Sequence, residues 1–128
     1  MMRDVANAFN YLHSFRPAVV HGRFKSASVL VSSSYQVKVS GYGVSRVFMQ
    51  SPDTGTVDRS MAPEVLEGKT PAPPADVYSF AIVMWETLCC VPSYGDMTKD
   101  IDWLTKVVGG HRPAIPPLVR VQKGIFGC

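Results

Sequence analysis

A mainly α-helical domain with a small β-hairpin region is the fold class predicted by this 128-residue chain. Three observations predict it. Apolar residues recur at helical spacing over 3–15, a second and almost wholly apolar helical stretch runs over 77–88, and β-branched runs broken by a polar turn lie between them. Hydrophobic residues make up 46% of the chain against 18% charged, and the ten prolines follow no period, which excludes a disordered or fibrous class. The thirteen basic and ten acidic residues leave a net charge of +3. The basic ones are spread singly from Arg3 to Lys123, so no nucleic-acid footprint is expected. Three cysteines, two of them adjacent at Cys89 and Cys90, lack the spaced pairs of a zinc site. The longest apolar run falls short of the roughly 20 residues a membrane span needs, and the N-terminus carries no apolar stretch of secretory type. An intracellular, cytoplasmic location without membrane attachment is the expectation.

Each element can be justified in turn. Val5, Ala8, Phe9, Leu12 and Phe15 fall on one helical face, and Pro17 marks the stop. Two β-branched runs follow at 18–21 and 28–31, then a third at 35–40, with Ser32, Ser33 and Ser34 as the turn between the last two. Residues 41–57 show no periodicity and read as a long loop, of a length that usually carries a function. Pro63 is placed to open a short helix through Val65 and Leu66. Pro71, Pro73 and Pro74 are expected to exclude regular structure before Asp76, which then reads as the cap of the helix over 77–88, the core pillar. A last helix over 101–108 is closed by Gly109 and Gly110, and residues 112–117 are extended, proline-rich chain.

Taken in order, these segments resemble the large, C-terminal lobe of eukaryotic protein kinases of the tyrosine-kinase-like Ser/Thr type. Phe9-Asn10-Tyr11-Leu12-His13-Ser14 is similar to the end of the family's helix E. Residues 19–31, V-V-H-G-R-F-K-S-A-S-V-L-V, resemble the catalytic loop I-V-H-R-D-L-K-S-S-N-I-L-L. Residues 37–43, V-K-V-S-G-Y-G, resemble the strand leading into the metal-binding D-F-G. Met61-Ala62-Pro63-Glu64 matches M-A-P-E, Asp76-Val77-Tyr78-Ser79-Phe80 resembles the start of helix F, and Gly110-His111-Arg112-Pro113 with Ile115-Pro116-Pro117 resembles G-x-R-P-x-I-P-P. The resemblance covers residues 3–117 as a partial kinase-like lobe, with no N-lobe and without the last helices; 118–128 form a divergent tail. Several colinear motifs at nearly the family's spacing are hard to obtain by chance. Two decoys fail: Gly41-Tyr42-Gly43 has Arg46 where a dinucleotide loop needs its third glycine, and Gly68-Lys69-Thr70 has Pro63 where a Walker loop needs its first.

What the resemblance implies about chemistry is negative. Kinases use an Asp to accept the substrate proton, and an Asp and an Asn to hold magnesium against the phosphates of ATP. The base position is Arg23, a donor that accepts no proton. The Asn position is Ser28, a feeble magnesium ligand, and the D-F-G Asp position is Gly41. Losing a general base alone costs on the order of 10² to 10⁴ in rate. The glycine-rich loop, its lysine and the partnering glutamate are also expected to be missing, so no cofactor and no metal are expected. The resemblance thus implies an inactive, pseudokinase-type fragment with degenerate catalytic-loop positions His21, Gly22, Arg23, Lys25 and Ser28, and degenerate metal-loop positions Gly41, Tyr42 and Gly43.

The retained positions are structural in the family. His21 and Tyr42 stand where the family packs a hydrophobic spine, and Leu30 where a residue lies beneath adenine; without nucleotide Leu30 is expected to be core. Ala62, Pro63 and Glu64 belong to M-A-P-E, and Asp76 would tie helix F to the backbone of the catalytic turn. Ser51, Thr54 and Thr56 are candidate phosphosites, although Gly22 removes the arginine that usually receives the phosphate. Incomplete covering of helix F implies an exposed apolar surface and another protein that covers it, hence a binding or scaffold role. Two alternatives stand beside this: an ATP-dependent Ser/Thr protein kinase, and a truncated gene product without a role, the latter suggested by Met1 falling inside helix E and by the tail.

Overall fold

The structure, a computed structural model, describes residues 1–43 and 58–115. Helix α1 spans Met2–Ser14 and buries Val5, Phe9 and Leu12, a single stripe at the spacing of 3.6 residues per turn. After α1 the Val19 amide donates back to the Leu12 carbonyl at 3.0 Å, using one of the helix's otherwise orphaned acceptors. The run at 18–21, expected as a strand, forms none. The amides of Val19 and His21 donate to α1 and to a carboxylate instead of a ladder.

A turn of 3₁₀-helix at Ser26–Ser28 leads into β1 (Val29–Val31), which pairs antiparallel with β2 (Val37–Val39) in the register Val29↔Val39, Leu30↔Lys38, Val31↔Val37. The serine turn closes the hairpin: Ser32 accepts from the Tyr35 amide and donates to the Gln36 carbonyl, both at 2.9 Å. Val29, Val37 and Val39 face inward and pack on the first core cluster. Leu30 and Lys38 lie on the opposite face of this two-residue alternation. Leu30 is therefore not core, as expected above, but 52% exposed.

Helix α2 (Pro63–Leu66) opens on Pro63, whose missing N–H belongs to a position with no intrahelical acceptor. The same logic overturns one expectation. Helix α3 spans Pro73–Cys89 with Pro73 and Pro74 in its first turn, so the prolines begin the helix instead of excluding it. Ala72 is the cap residue, and Asp76 lies a turn inside, its carboxylate aimed elsewhere. Helix α4 (Asp100–Val108) ends in a Schellman closure: the Gly110 amide reaches Val107 at 3.1 Å and the His111 amide reaches Lys106 at 2.8 Å. That closure requires Gly110 at φ +96°, where an L side chain is strained although nothing occupies the space.

Three apolar clusters form the interior, and α3 contributes to all of them. Val83 and Phe80 join Val5, Phe9, Leu12 and Phe24. Ile82 joins Tyr94, Met97, Trp103 and Val107. Ala75 joins Ala62 and Val65. The pillar is nonetheless bare on one side, where Val77 is 58% exposed and Ala81, one turn on, is also exposed. Within the second cluster Tyr94 is pushed well above the ordinary phenol range, by burial first and by its 3.1 Å hydrogen bond to Tyr78. No helix among the described residues is long and apolar enough to cross a membrane.

Two outcomes follow for stability. Gly110→Ala should cost about 1–2 kcal/mol, the strain of one L residue in the left-handed region, read from urea midpoints at unchanged slope. Because folding holds the Tyr94 proton, the unfolded chain releases it first as pH rises above about 10. Stability should fall over that range, and the fall should be shallower in Tyr94→Phe when the two melting curves are compared.

Candidate functional site

The turn after α1 carries the resemblance to a catalytic loop, and one carboxylate builds it. Asp76 is wholly buried in the first turn of α3. Its Oδ2 accepts the His21 amide at 2.8 Å and its Oδ1 accepts the Gly22 amide at 2.7 Å. The His13 ring, on the last turn of α1, donates from Nε2 to Oδ2 at 2.8 Å. Three elements therefore meet on two oxygens, and the charge is offset by short, charge-assisted bonds. Gly22 adopts φ +76°, which turns the chain so that consecutive amides converge on the carboxylate.

His21 is buried at 2% exposure with its ring edge-on to Phe9 and Phe24. Its Nε2 lies 2.9 Å from the Ser40 carbonyl, which can only accept, so Nε2 carries the proton and Nδ1 is left to receive the Arg23 amide at 3.4 Å. Ser28 is buried at the mouth of the hairpin, where its carbonyl accepts both the amide and the hydroxyl of Ser40, at 2.9 and 3.3 Å. Gly41 closes on the same histidine: a Cβ there would stand 3.8 Å from His21 Cε1, and its φ is +82°. Tyr42 was expected to pack beside His21 but is 54% exposed. Gly41 approaches the imidazole where the Tyr42 ring was expected, and Gly43 at φ +79° turns the chain again.

Lys25 forms an ion pair with Asp58, Nζ to Oδ2 at 3.3 Å. Asp58 Oδ1 also accepts from the Ser60 hydroxyl at 2.9 Å, and that hydroxyl lies 2.7 Å from the Phe24 carbonyl. Ala62 is buried and caps α2, Pro63 opens it, and Glu64 lies in its first turn. Arg112 engages the Val107 and His111 carbonyls and lies 5.0 Å over the Tyr78 ring. Ser51, Thr54, Thr56 and the tail at 118–128 lie outside the described residues. His13, Asp58 and Ser60 were not anticipated from sequence. Each acts on a partner distant in the chain, and only the helical register of His13, one turn beyond Phe9, hinted at an inward ring.

Removing the Asp76 carboxylate should strand two buried amides. Asp76→Ala is expected to cost about 3–5 kcal/mol, and Asp76→Asn, which keeps one acceptor, about 1–3 kcal/mol. His13→Ala should cost less than either, and a different order in denaturant titrations would refute this account of the turn.

Comparison with known proteins identifies the family. The family described as protein tyrosine and serine/threonine kinase matches residues 1–123. The chain is 38% identical over 101 residues to the serine/threonine-protein kinase CTR1 of Arabidopsis thaliana, covering 76% of this chain and 12% of that protein. It is 38% identical over 127 residues to the probable serine/threonine-protein kinase drkC of Dictyostelium discoideum, covering 93% of this chain and 17% of the relative. A human relative, ankyrin repeat and protein kinase domain-containing protein 1, is 32% identical over 128 residues, covering 92% and 17%. The chain thus spans only 12 to 17% of the length of these relatives. Four helices and a two-stranded antiparallel sheet among the described residues are consistent with part of a kinase fold. On these grounds the chain belongs to the protein tyrosine and serine/threonine kinase family.

Proposed function

We propose that this fragment corresponds to part of the large lobe, that it transfers no phosphate, and that it serves as a binding or scaffolding module of the pseudokinase type. The observation that carries the reading is the donor set at three positions. Arg23 stands at the base position and offers only donors. Ser28 stands at a metal-ligand position with its carbonyl already engaged by Ser40. Gly41 stands at the second metal-ligand position with no side chain. Such a set does not fit magnesium, which takes carboxylates and waters in near-octahedral geometry.

Supporting the scaffolding half of the proposal are two uncovered apolar regions. One is the outer face of the hairpin with Leu30, followed by Tyr42; the other is the row on α3 with Val77 and Ala81. Either region offers apolar surface that a partner protein would bury. The relatives named as serine/threonine-protein kinases favour a second reading, an ATP-dependent kinase. A thermal melt of the purified chain with ATP, with and without magnesium, separates the two, because a ligand that binds only the folded state must raise the melting temperature. A cooperative melt that nucleotide leaves unmoved is expected. A magnesium-dependent rise would refute the reading of Arg23, Ser28 and Gly41.

A further inference from the structure

The segment just before α2 is tied down at every residue from Asp58 to Ser60. Asp58 is largely buried, at 17% side-chain exposure, yet its carboxylate is divided between a lysine of the turn and a serine of its own segment. Oδ2 meets Lys25 Nζ at 3.3 Å, while Oδ1 accepts the Ser60 hydroxyl at 2.9 Å and the Ser60 amide at 3.3 Å. Ser60 is buried, with the Phe24 carbonyl 2.7 Å from its hydroxyl, so it touches the same turn from the other side. Arg59 points the opposite way, donating to the Tyr94 carbonyl at 2.7 Å and to Asp100 on α4 at 3.3 Å. Tyr94 is itself held at φ +56° in the second core cluster.

Three successive residues thus fasten one short stretch to the catalytic-type turn on one side and to α4 on the other. Lys25 brings a positive charge to the first of these contacts, and Asp58 meets it with a negative one. In phosphate-switched loops that anion arrives by modification, which adds acceptor oxygens opposite a basic receptor. Here the chain supplies it. We infer that Asp58 is a built-in anion that latches the segment before Met61 onto Lys25, so that the segment holds its place without phosphorylation. The inference does not depend on whether the fragment transfers phosphate.

Limited trypsinolysis of the whole chain reads the latch directly, since the Arg59–Ser60 bond can be cut only when both residues leave their partners. The Lys69–Thr70 bond is the internal reference, because Lys69 is exposed. In the wild type, Arg59–Ser60 should be cut far more slowly than the reference, and phosphatase treatment should change nothing. Lys25→Met should speed that cut about threefold, the size expected of losing a half-exposed ion pair. Asp58→Ala should speed it about tenfold or more, since it also removes the bonds to Ser60. Lys25 lies at the surface, so Lys25→Met decides the matter even if Asp58→Ala fails to fold. Cleavage at the wild-type rate in Lys25→Met would overturn the inference, and so would protection that phosphatase abolishes.

Discussion

Everything at this site depends on a single buried carboxylate. Asp76 is inaccessible to water, and a lone ion there would be prohibitively unfavourable unless paired and hydrogen-bonded. The two backbone amides of His21 and Gly22 and the His13 ring meet that requirement. The requirement runs in both directions. The carboxylate can remain buried only while α1, the turn and α3 keep their places, and the turn keeps its shape only while the carboxylate receives both amides. His21 then relays the constraint, since its ring is held against Phe9 and Phe24 and reaches Ser40 at the end of β2. The hairpin is positioned by an anion it never touches.

Apolar packing gives the same elements a shared wall. Helix α3 sends side chains into all three clusters, so its burial is divided among α1, α2 and α4 instead of concentrated on one neighbour. Such an element is apolar nearly all round, and whatever side is left uncovered must expose apolar atoms. Val77 and Ala81 show this on α3, and Leu30 shows it on the hairpin. On α3 the exposure follows from a helix that is apolar on nearly all sides and covered on only part of them.

How much of this was legible in the sequence depended on the range of the interaction responsible. Helix α1, the hairpin with its serine turn, and the glycine stop of α4 rest on contacts a few residues apart, and period and turn chemistry revealed them. The start of α3 was misread because Pro73 and Pro74 were weighed as breakers, whereas a first turn lacks acceptors for their missing N–H groups in any case. Asp76 was read as a cap for the same reason; its partners are 54 and 55 residues away, and no local pattern announces them. The resemblance to kinases supplied that link where periodicity could not. It supplied nothing for Asp58, whose ion-pair partner Lys25 is far away in the chain. The sides of Leu30 and Tyr42 were beyond reach too, since burial of a hairpin face is decided by what lies over it.

The degenerate positions have a physical logic of their own. Gly22 and Gly41 both occupy left-handed backbone, at φ +76° and +82°, where an L side chain costs about 1–2 kcal/mol. At both positions the resemblance expects a functional side chain, an arginine at the first and a metal-binding aspartate at the second. Glycine adopts either conformation without that strain. The turn itself survives the exchange, because Asp76 holds it through backbone amides that substitution at residues 22 and 23 leaves in place. The shape of this turn thus rests on two backbone amides and one distant carboxylate, not on the side chains at residues 22 and 23.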